Sequence, residues 1–414
     1  MTDSGSIAER REHLVAEVLQ TSGVRDERIA AALRDVPRHL FLPHLPPEEA
    51  YLDDAIVTKR DAEGQPISSS SQPAIMAIML DQLALAPGQR VLEIGTGTGY
   101  NAALIKHIVG PSGAVVSVDI EPDLVDLARE HLASAGYPEV TVVAADGAGG
   151  YPPGAPYDRV IATVGVSDLA PAWLDQAGPG ARVVVPLDVR GSQLAVGFGP
   201  AGAHWESQSI APCGFMRMRG SAAGPERTVV LQPGLCLMLP DGLTLADGQK
   251  VDGAALAAVL DGPPAEFATG VRTASTHVFW ALGLWLAAGD PRSCGLAEED
   301  PGEAAAARLE RAPLRGRGML ATAGIVDSGG IALLTADQPG AGQLTLGVAG
   351  FGPHGAQLGA ALAAHVRSWD QAGQPTAARL HVDAYPRSSP DEPAPGEAGL
   401  VIERPATRFV VYHN

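Results

Sequence analysis

Between residues 89 and 187, short apolar segments alternate with segments in which apolar residues recur at helical spacing. The apolar segments are "RVLEI", "AVVSVD", "VTVVAAD", "YDRVIATV" and "ARVVVPL". Each is rich in β-branched residues and has the length of a buried strand, and the segments between several of them have helical spacing. Such a regular alternation predicts an α/β fold built on a doubly wound, mainly parallel sheet.

A glycine-rich turn joins the first of these strands to the next helix, in "VLEIGTGTGYNAALI" at residues 91–105. Gly95, Gly97 and Gly99 are spaced two apart, and such a turn lets a ligand approach the backbone closely. A dinucleotide site would need a third glycine where Tyr100 stands. Glu93, just before the glycines, would repel phosphates but suits a ligand with an ammonium group.

Polar residues also stand at the ends of the next two strands. Asp119 lies 20 residues after Gly99, where a carboxylate can accept both hydroxyls of a ribose. Asp146 and Gly147 end the third strand, where an adenine edge would lie. A nucleoside joined to an amino acid fits all of these positions, which predicts S-adenosylmethionine. The predicted cofactor-binding residues are Glu93, Gly95, Thr96, Gly97, Gly99, Asp119, Ile120, Asp146 and Gly147.

Charge and cysteine content disfavour several kinds of partner. The chain of 414 residues has 29 basic and 47 acidic residues, a formal net charge of −18. Since nucleic-acid binding rests largely on neutralising phosphates, we predict no nucleic-acid partner. The three cysteines, Cys213, Cys236 and Cys294, are too far apart for a C-x-x-C metal knuckle, so we predict no metal site. Their odd number makes a disulfide framework unlikely and indicates a reducing cytoplasm. The apolar run at 278–289 is too short to cross a bilayer, so no membrane partner is predicted.

The predicted domain boundary is "GSAAGPER", residues 220–227, because this segment is small, polar and aperiodic. Before it, Asp26 is a candidate N-cap for a helix from Arg28 to Val36. Beyond it, strands mix with helices, and we predict a C-terminal α+β domain over 228–414. The helices of that domain are predicted near 253–260, 276–289 and 356–372.

Several motifs in order resemble those of the protein-L-isoaspartate O-methyltransferase family. They include "RDERIAAALRDVPRHLFLP", "SSQPAIMAIMLDQL", "VLEIGTGTGYNAALI", "VVSVDIEPDLVDLAREHL" and "AADGAGGYPPGAPYDRVIATVGV", and the likeness covers residues 7–220. The resemblance implies a class I, Rossmann-like S-adenosylmethionine methyltransferase core at 76–220. It also implies N-terminal helices and a substrate-facing rim at 1–75.

The resemblance further implies which residues meet the substrate. Ser71, Gln72 and Pro73 match the family's Ser-Gln-Pro hallmark, which implies that Ser71 hydrogen-bonds the substrate carboxylate. We predict Ser71 as the catalytic residue and Ser69, Ser70, Ser71 and Gln72 as substrate-binding residues. A carboxylate is ionised at neutral pH and needs no general base to attack a sulfonium methyl, so alignment and a hydroxyl donor suffice. Alternatively, Ser71 caps the helix that begins near Pro73.

Two features depart from the repair enzymes of that family. Ser68, Ser69 and Ser70 precede Ser71 where a Thr-Ile-Ser-type segment is common, and a long region follows the matched part. Both features resemble the branch found with ribosomally made peptide natural products such as lanthipeptides, lasso peptides and graspetides. That likeness implies methylation of Asp in a constrained peptide, leading to aspartimide or isoaspartate. The alternative is a general L-isoaspartyl repair methyltransferase with an accessory C-terminal domain.

The function of the region 228–414 stays open between substrate recognition and stabilisation or assembly. Gly350, Gly352 and Gly355 form a G-x-G-x-x-G there, but Pro353 and His354 stiffen and crowd the turn. No acidic strand end follows at a clear interval, so we predict no second nucleotide. A tRNA methyltransferase is disfavoured by the acidic balance, and a non-catalytic peptide-binding protein by the complete set of predicted site residues.

Overall fold

The computed structural model describes residues 6–62, 64–299, 309, 311–316, 319–340, 343–390 and 399–413. The chain folds into two compact units. The first comprises Met1–Leu187, Gln193–Gly224 and His381–Tyr412. The second comprises Asp188–Ser192, Pro225–Leu380 and His413–Asn414. Within the described ranges, no helix is both long enough and apolar enough to cross a membrane.

The first unit begins with helices and an antiparallel hairpin. Ser6 and Glu9 form a capping box at the first helix, and Asp26 caps the second by accepting the Arg28 backbone N–H at 2.8 Å, as predicted. The elements are α1 (Ile7–Ser22), α2 (Glu27–Asp35), a 3-10 turn (Arg38–Phe41), α3 (Pro47–Ala50), β1 (Ile56–Arg60), β2 (Pro66–Ser70) and α4 (Pro73–Leu83).

The central sheet of the first unit follows. Its elements are β3 (Arg90–Ile94), α5 (Tyr100–Val109), β4 (Ala114–Asp119), α6 (Pro122–Ser134), β5 (Thr141–Ala144), 3-10 turns (Gly147–Gly149 and Pro152–Gly154), β6 (Tyr157–Ala162), α7 (Pro171–Asp175), β7 (Ala177–Val189), β8 (Ser192–Ala201) and β9 (His204–Pro212). Strands β7-β6-β3-β4-β5 lie in this order and pair in parallel, whereas β8 and β9 are antiparallel. The predicted doubly wound sheet is confirmed: these five strands form its parallel part, and the ten-stranded sheet as a whole is mixed. Its order reverses between β3 and β6, the point where such sheets bind ligands.

Apolar residues of the helices and of the parallel strands share one core in the first unit. Val91 of β3 packs in the same cluster as Leu80 of α4, Leu104 of α5 and Val125 of α6. Because helices cover it, β3 is buried on consecutive residues and does not alternate between apolar and polar positions. This two-sided burial explains why the strands of the core are continuous apolar runs in the sequence.

The second unit is built on an antiparallel sheet. Its elements are β10 (Thr228–Gln232), β11 (Leu235–Met238), α8 (Gly253–Leu260), β12 (Ala265–Ala274), α9 (Ser275–His277), a π-helical turn (Val278–Leu282), α10 (Gly283–Gly289), β13 (Ser293–Glu299), β14 (Leu314–Gly316), β15 (Met319–Asp327), β16 (Gly330–Gly340), β17 (Gln343–Phe351), α11 (Gly355–Gln371) and a 3-10 turn (Ala377–Arg379). The strand order is β10-β11-β13-β15-β16-β17-β12, with β14 paired to β15. The helices α8, α10 and α11 lie where the sequence predicts helices.

The glycines between β17 and α11 have a packing reason. A Cβ atom on Gly350 would lie 2.0 Å from the carbonyl oxygen of Gly355, and one on Gly355 would lie 2.7 Å from the carbonyl carbon of Gly350. Gly352 has a φ of +84°, which disfavours any side chain. His354 contacts Asp327, with 3.0 Å between Nδ1 and Oδ2. The G-x-G-x-x-G pattern therefore allows close packing of a strand and a helix.

The chain then returns to the sheet of the first unit. The returning strands are β18 (Leu380–Pro386), β19 (Leu400–Glu403) and β20 (Thr407–His413). β18 pairs antiparallel with β9, placing Asp383 opposite Glu206, and the sheet ends in the order β19-β20-β18-β9. The sequence predicts one C-terminal domain over 228–414, whereas in the structure His381–Tyr412 belongs to the first unit. β18 pairs with an edge of β9 that would otherwise be unpaired. The local sequence pattern of a strand does not show which edge it will join.

Candidate active site

A cleft in the first unit lies at the carboxyl ends of β3 and β4, next to the reversal of strand order. Its volume is about 910 Å³ when the space open to solvent is included. Its main lining stretches are 67–71, 94–98, 118–120 and 215–219. The position agrees with the general rule that ligands of α/β sheets bind outside the carboxyl ends of the strands.

The glycine turn between β3 and α5 contributes backbone to this cleft. Gly95, Gly97 and Gly99 have φ values of +99°, +52° and +88°, a region that favours glycine. A Cβ atom on Gly95 would lie 2.6 Å from Oγ1 of Thr163, and one on Gly99 would lie 3.3 Å from Cγ of Leu132. Packing therefore requires glycine at both positions. Gly95, Thr96 and Gly97 line the cleft, whereas Gly99, predicted as a cofactor-binding residue, does not line it and packs against α6.

Asp119 lines the cleft at the end of β4. Its Oδ2 accepts the backbone N–H of Gly97 at 3.0 Å, and its Oδ1 accepts that of Glu121 at 3.1 Å. These bonds fix the carboxylate beside the glycine turn, and each oxygen has a second lone pair for another donor. Ile120, 37% exposed, lines the cleft next to it. The pair can offer a polar edge to ribose hydroxyls and an apolar face to a base.

Glu93 occupies a different place from the one expected. Its side chain is fully buried and does not line the cleft. Its Oε1 accepts a hydrogen bond from Asn101 Nδ2 at 2.7 Å, and its Oε2 accepts one from the Ser117 hydroxyl at 2.5 Å. Ser117 in turn lies 2.7 Å from Oγ1 of Thr96 in the glycine turn. Burial raises the pKa of Glu93 to about 7, although the two hydrogen bonds lower it. The carboxyl group thus supports the turn from inside.

Asp146 also has a structural task, whereas Gly147 lines the cleft. Asp146 Oδ1 accepts the Ala148 N–H at 3.0 Å, and Oδ2 accepts the Ser221 N–H at 2.7 Å. Burial acts to raise the pKa of Asp146, but these backbone hydrogen bonds lower it overall. A Cβ atom on Gly147 would lie 2.5 Å from Cγ2 of Ile94, so the strand ends are in close contact.

The predicted serine segment forms the end of hairpin strand β2 and the residue after it. Ser68, Ser69, Ser70 and Ser71 all line the cleft. Ser68 Oγ accepts the Thr58 hydroxyl at 3.1 Å. Ser70 is 3% exposed, and within the described ranges its Oγ has no hydrogen-bond partner. A buried hydroxyl without a partner is costly, and a bound polar ligand would satisfy it.

Asp53, and not Ser71, caps the N-terminus of α4. The N-cap residue is Gln72, whose Nε2 donates to Asp53 Oδ2 at 3.0 Å, while Asp53 Oδ1 accepts the Ala74 N–H at 2.8 Å. Gln72 does not line the cleft, so its side chain serves the helix start. Ser71 lines the cleft just before this helix. The capping alternative for Ser71 does not match this arrangement.

A buried arginine, not predicted from the sequence as a site residue, supports the same segment. Arg38 is 0% exposed and donates to the carbonyl oxygens of Leu52, Asp54 and Ser71 at 2.7, 3.0 and 3.2 Å. Its guanidinium carbon lies 5.8 Å from the ring centroid of Tyr100. Its only sequence signal is a charged residue beside an apolar run in "PRHLFLP".

Residues 215–219 complete the lining from a distant part of the chain. The Phe215 N–H donates to Gln193 Oε1 at 2.7 Å, and the Met218 N–H donates to the carbonyl oxygen of Gly165 at 2.8 Å. Arg219 Nη1 donates to Glu121 Oε1 at 2.6 Å. Where the structure is described, no group of His, Cys, Asp and Glu has the arrangement of a metal site.

The tight glycine turn, the carboxylate at the next strand end and the cleft at the reversal of strand order define a class I S-adenosylmethionine-dependent methyltransferase. Known proteins identify its family. The chain belongs to the protein-L-isoaspartate(D-aspartate) O-methyltransferase (PCMT) family, whose model matches residues 9–220. It is accordingly a carboxyl O-methyltransferase with S-adenosylmethionine as its cofactor.

Individual relatives are similar over different lengths. The protein-L-isoaspartate O-methyltransferase of Methanoculleus marisnigri is 43% identical over 183 residues, 44% of this chain and 79% of its own length. A solved protein-L-isoaspartate O-methyltransferase is 24% identical, with 90% of this chain and 96% of its own covered and a TM-score of 0.49. A solved putative PCMT from Plasmodium falciparum in complex with S-adenosyl-L-homocysteine is 14% identical. The match covers 50% of this chain and 98% of that one, with a TM-score of 0.45.

Proposed function

We propose that this methyltransferase acts on the side-chain carboxylate of an Asp in a constrained, ribosomally made peptide. The methyl ester is then attacked by the next backbone amide nitrogen, methanol leaves, and the resulting aspartimide persists or hydrolyses to isoaspartate. The observation that carries the proposal is the second unit, of which Pro225–Leu380 lies beyond the family match at 9–220. A dedicated modifying enzyme needs recognition surface beyond the catalytic pocket, and such a unit can supply it.

The proposed roles of the site residues follow from their positions in the cleft. Asp119 would accept the ribose hydroxyls, Ile120 would contact the adenine, and the glycine turn would meet the amino-acid part of S-adenosylmethionine. Ser71 would donate its hydroxyl to the acceptor carboxylate and align one oxygen with the sulfonium methyl. Ser70 would offer a second hydroxyl, because its Oγ is buried without a partner in the described part of the chain. An ionised carboxylate needs no general base, so alignment is the main contribution.

A second candidate acceptor is L-isoaspartate in damaged proteins. It is favoured by the 43% identity to a relative named protein-L-isoaspartate O-methyltransferase. The two acceptors are isomers: in Asp a methylene separates the free carboxylate from the α carbon, whereas in isoaspartate that methylene lies in the backbone. A site that aligns one carboxylate with the methyl donor must therefore hold the backbone at a different distance for the other. In this case the second unit would be an accessory domain.

The deciding experiment is mass-spectrometric methyl transfer to matched linear peptides that differ only in Asp or isoaspartate at one position. Binding of S-adenosylmethionine is measured in parallel by calorimetry. We expect cofactor binding without rapid methylation of either linear peptide, and methylation of Asp once the peptide is constrained in a ring. Rapid methylation of the linear isoaspartyl peptide alone would contradict the proposal and identify a repair enzyme.

A further inference from the structure

Glu121 connects three parts of the cleft through its backbone and both of its carboxylate oxygens. It stands two residues after Asp119, at the N-cap of α6, and its backbone N–H donates to Asp119 Oδ1. Its Oε2 accepts a hydrogen bond from Lys59 Nζ at 2.5 Å, and its Oε1 accepts one from Arg219 Nη1 at 2.6 Å. One carboxylate therefore holds two cations from distant parts of the chain.

The two cations belong to two different walls of the cleft. Lys59 is in hairpin strand β1, opposite Ser68 of β2, and Ser68 lines the cleft. Arg219 ends the lining stretch 215–219. Glu121 thus ties the serine-bearing hairpin and the 215–219 segment to the strand end that carries Asp119.

The bridge is only partly open to solvent, which makes it stronger than an isolated surface ion pair. The side chains of Glu121, Lys59 and Arg219 are 22%, 24% and 39% exposed. Hydrogen bonds from Lys59 and Arg219 hold the pKa of Glu121 below its ordinary value, so the carboxylate is charged at neutral pH. Single ion pairs on the surface contribute little to stability, but one carboxylate that accepts two short charge-assisted hydrogen bonds forms a network.

We propose that Glu121 is a positioning residue that retains bound S-adenosylmethionine by tying the β1–β2 hairpin and the 215–219 segment to the end of β4. A cofactor in this cleft leaves past walls that Glu121 holds together, so the bridge acts on the dissociation rate. Association is governed by encounter with the open cleft and changes less. Retention by Glu121 involves only the cofactor and is independent of the acceptor that the enzyme methylates.

The test is the dissociation rate of S-adenosylmethionine from the full-length chain, measured by stopped-flow displacement with S-adenosyl-L-homocysteine. Glu121→Gln keeps the shape of the side chain but removes its charge, and we expect dissociation to be about fivefold faster with little change in association. Higher salt should speed dissociation from the wild type more than from Glu121→Gln, because only the wild type retains the ion pairs.

Asp123→Asn is the matched control, because Asp123 also binds Lys59, at 2.7 Å, and exposes 59% of its side chain. We expect its dissociation rate to stay within about twofold of the wild type. The Lys59→Met/Arg219→Met double variant should reproduce Glu121→Gln, and adding Glu121→Gln to it should change nothing further. Unchanged dissociation in Glu121→Gln, an equal effect of Asp123→Asn, or a further increase in the triple variant would each overturn the proposal. If Glu121→Gln does not fold, Glu121→Asp decides: its shorter side chain keeps the charge but cannot reach both cations, so dissociation should be faster than in the wild type, and an unchanged rate would overturn the proposal.

Discussion

Glu93 and Asp119 are carboxylates at the ends of neighbouring parallel strands, yet burial gives them different tasks. Asp119 reaches the cleft with lone pairs to spare, whereas Glu93 is enclosed and bonded to Asn101 and Ser117. Both positions follow from the strand pattern in the sequence. The partners of Glu93 do not, although Ser117 is a visible polar residue inside the apolar strand "AVVSVD". Its bond to Glu93 depends on the parallel register of β3 with β4, which places the two residues opposite one another.

The raised pKa of Glu93 predicts a pH dependence of stability. The carboxyl group titrates near its ordinary value of 4.5 when unfolded and at about 7 when folded. The folded state therefore holds the proton more tightly, so this stabilising contribution is complete below the unfolded pKa and is lost as the pH rises through about 7. Glu93→Gln has no such proton. Its melting temperature should rise relative to that of the wild type between about pH 5 and about pH 8.

Thermal unfolding at the two pH values measures this difference. Glu130→Gln is the control, because Glu130 is exposed on α6. A Glu93→Gln melting temperature that follows the wild type in parallel across this range would show that the Glu93 proton does not contribute.

At the scale of elements, the start of α4 sets the serine segment in place. The Ser-Gln-Pro motif predicts a helix beginning near Pro73, and α4 begins there. Its cap, however, comes from Asp53, and the carbonyl oxygen of Ser71 is held by Arg38. These contacts span 21 and 33 residues of sequence. No local pattern encodes them, since they exist only once the loop at 52–54 packs beside the helix.

Asp53→Asn should weaken this arrangement without touching the cofactor. The asparagine keeps an oxygen for the Ala74 N–H, but its amide faces Gln72 Nε2, which also donates, so one acceptor is lost and the residue next to Ser71 is held less firmly. We expect kcat to fall about tenfold, with the dissociation constant for S-adenosylmethionine within about twofold of wild type. The measurement is steady-state methyl transfer to whichever peptide the wild type accepts, together with calorimetry. Ser71→Ala should show the same separation.

Asp81→Asn is the control for Asp53→Asn, because Asp81 lies at the other end of the same helix. Equal kcat values for Asp53→Asn and the wild type would show that Asp53 does not position Ser71. Loss of cofactor affinity in Asp53→Asn would instead indicate a general disturbance of the cleft.

At the scale of the whole molecule, the first unit is completed by strands that come last in the chain. β18 pairs with β9, and Val382, Phe409 and Val410 are almost completely buried. The family match ends at residue 220, before these strands. A chain cut at the predicted boundary would therefore expose an unpaired edge and an apolar surface.

Truncation after Gly224 should accordingly lower the melting temperature and the solubility of the protein. The control is a chain in which a Gly/Ser linker replaces Pro225–Arg379, since it keeps β18, β19 and β20 beside β9. We expect this control to recover most of the melting temperature of the first unit. Calorimetry and light scattering give both quantities, and a truncated chain as stable and soluble as the control would show that the returning strands are dispensable.

The sequence by itself determined the parallel sheet, the glycine turn, the strand-end carboxylate Asp119 and the place of Ser71 before a helix. These features are local, because strand periodicity, turn chemistry and helix starts depend on neighbouring residues. Only the tertiary structure decided that Glu93 is buried, that Asp53 caps α4, that Glu121 joins Lys59 to Arg219 and that β18 pairs with β9. These features depend on burial and on contacts between segments that are separate in the sequence, and this geometry exists only in the folded molecule.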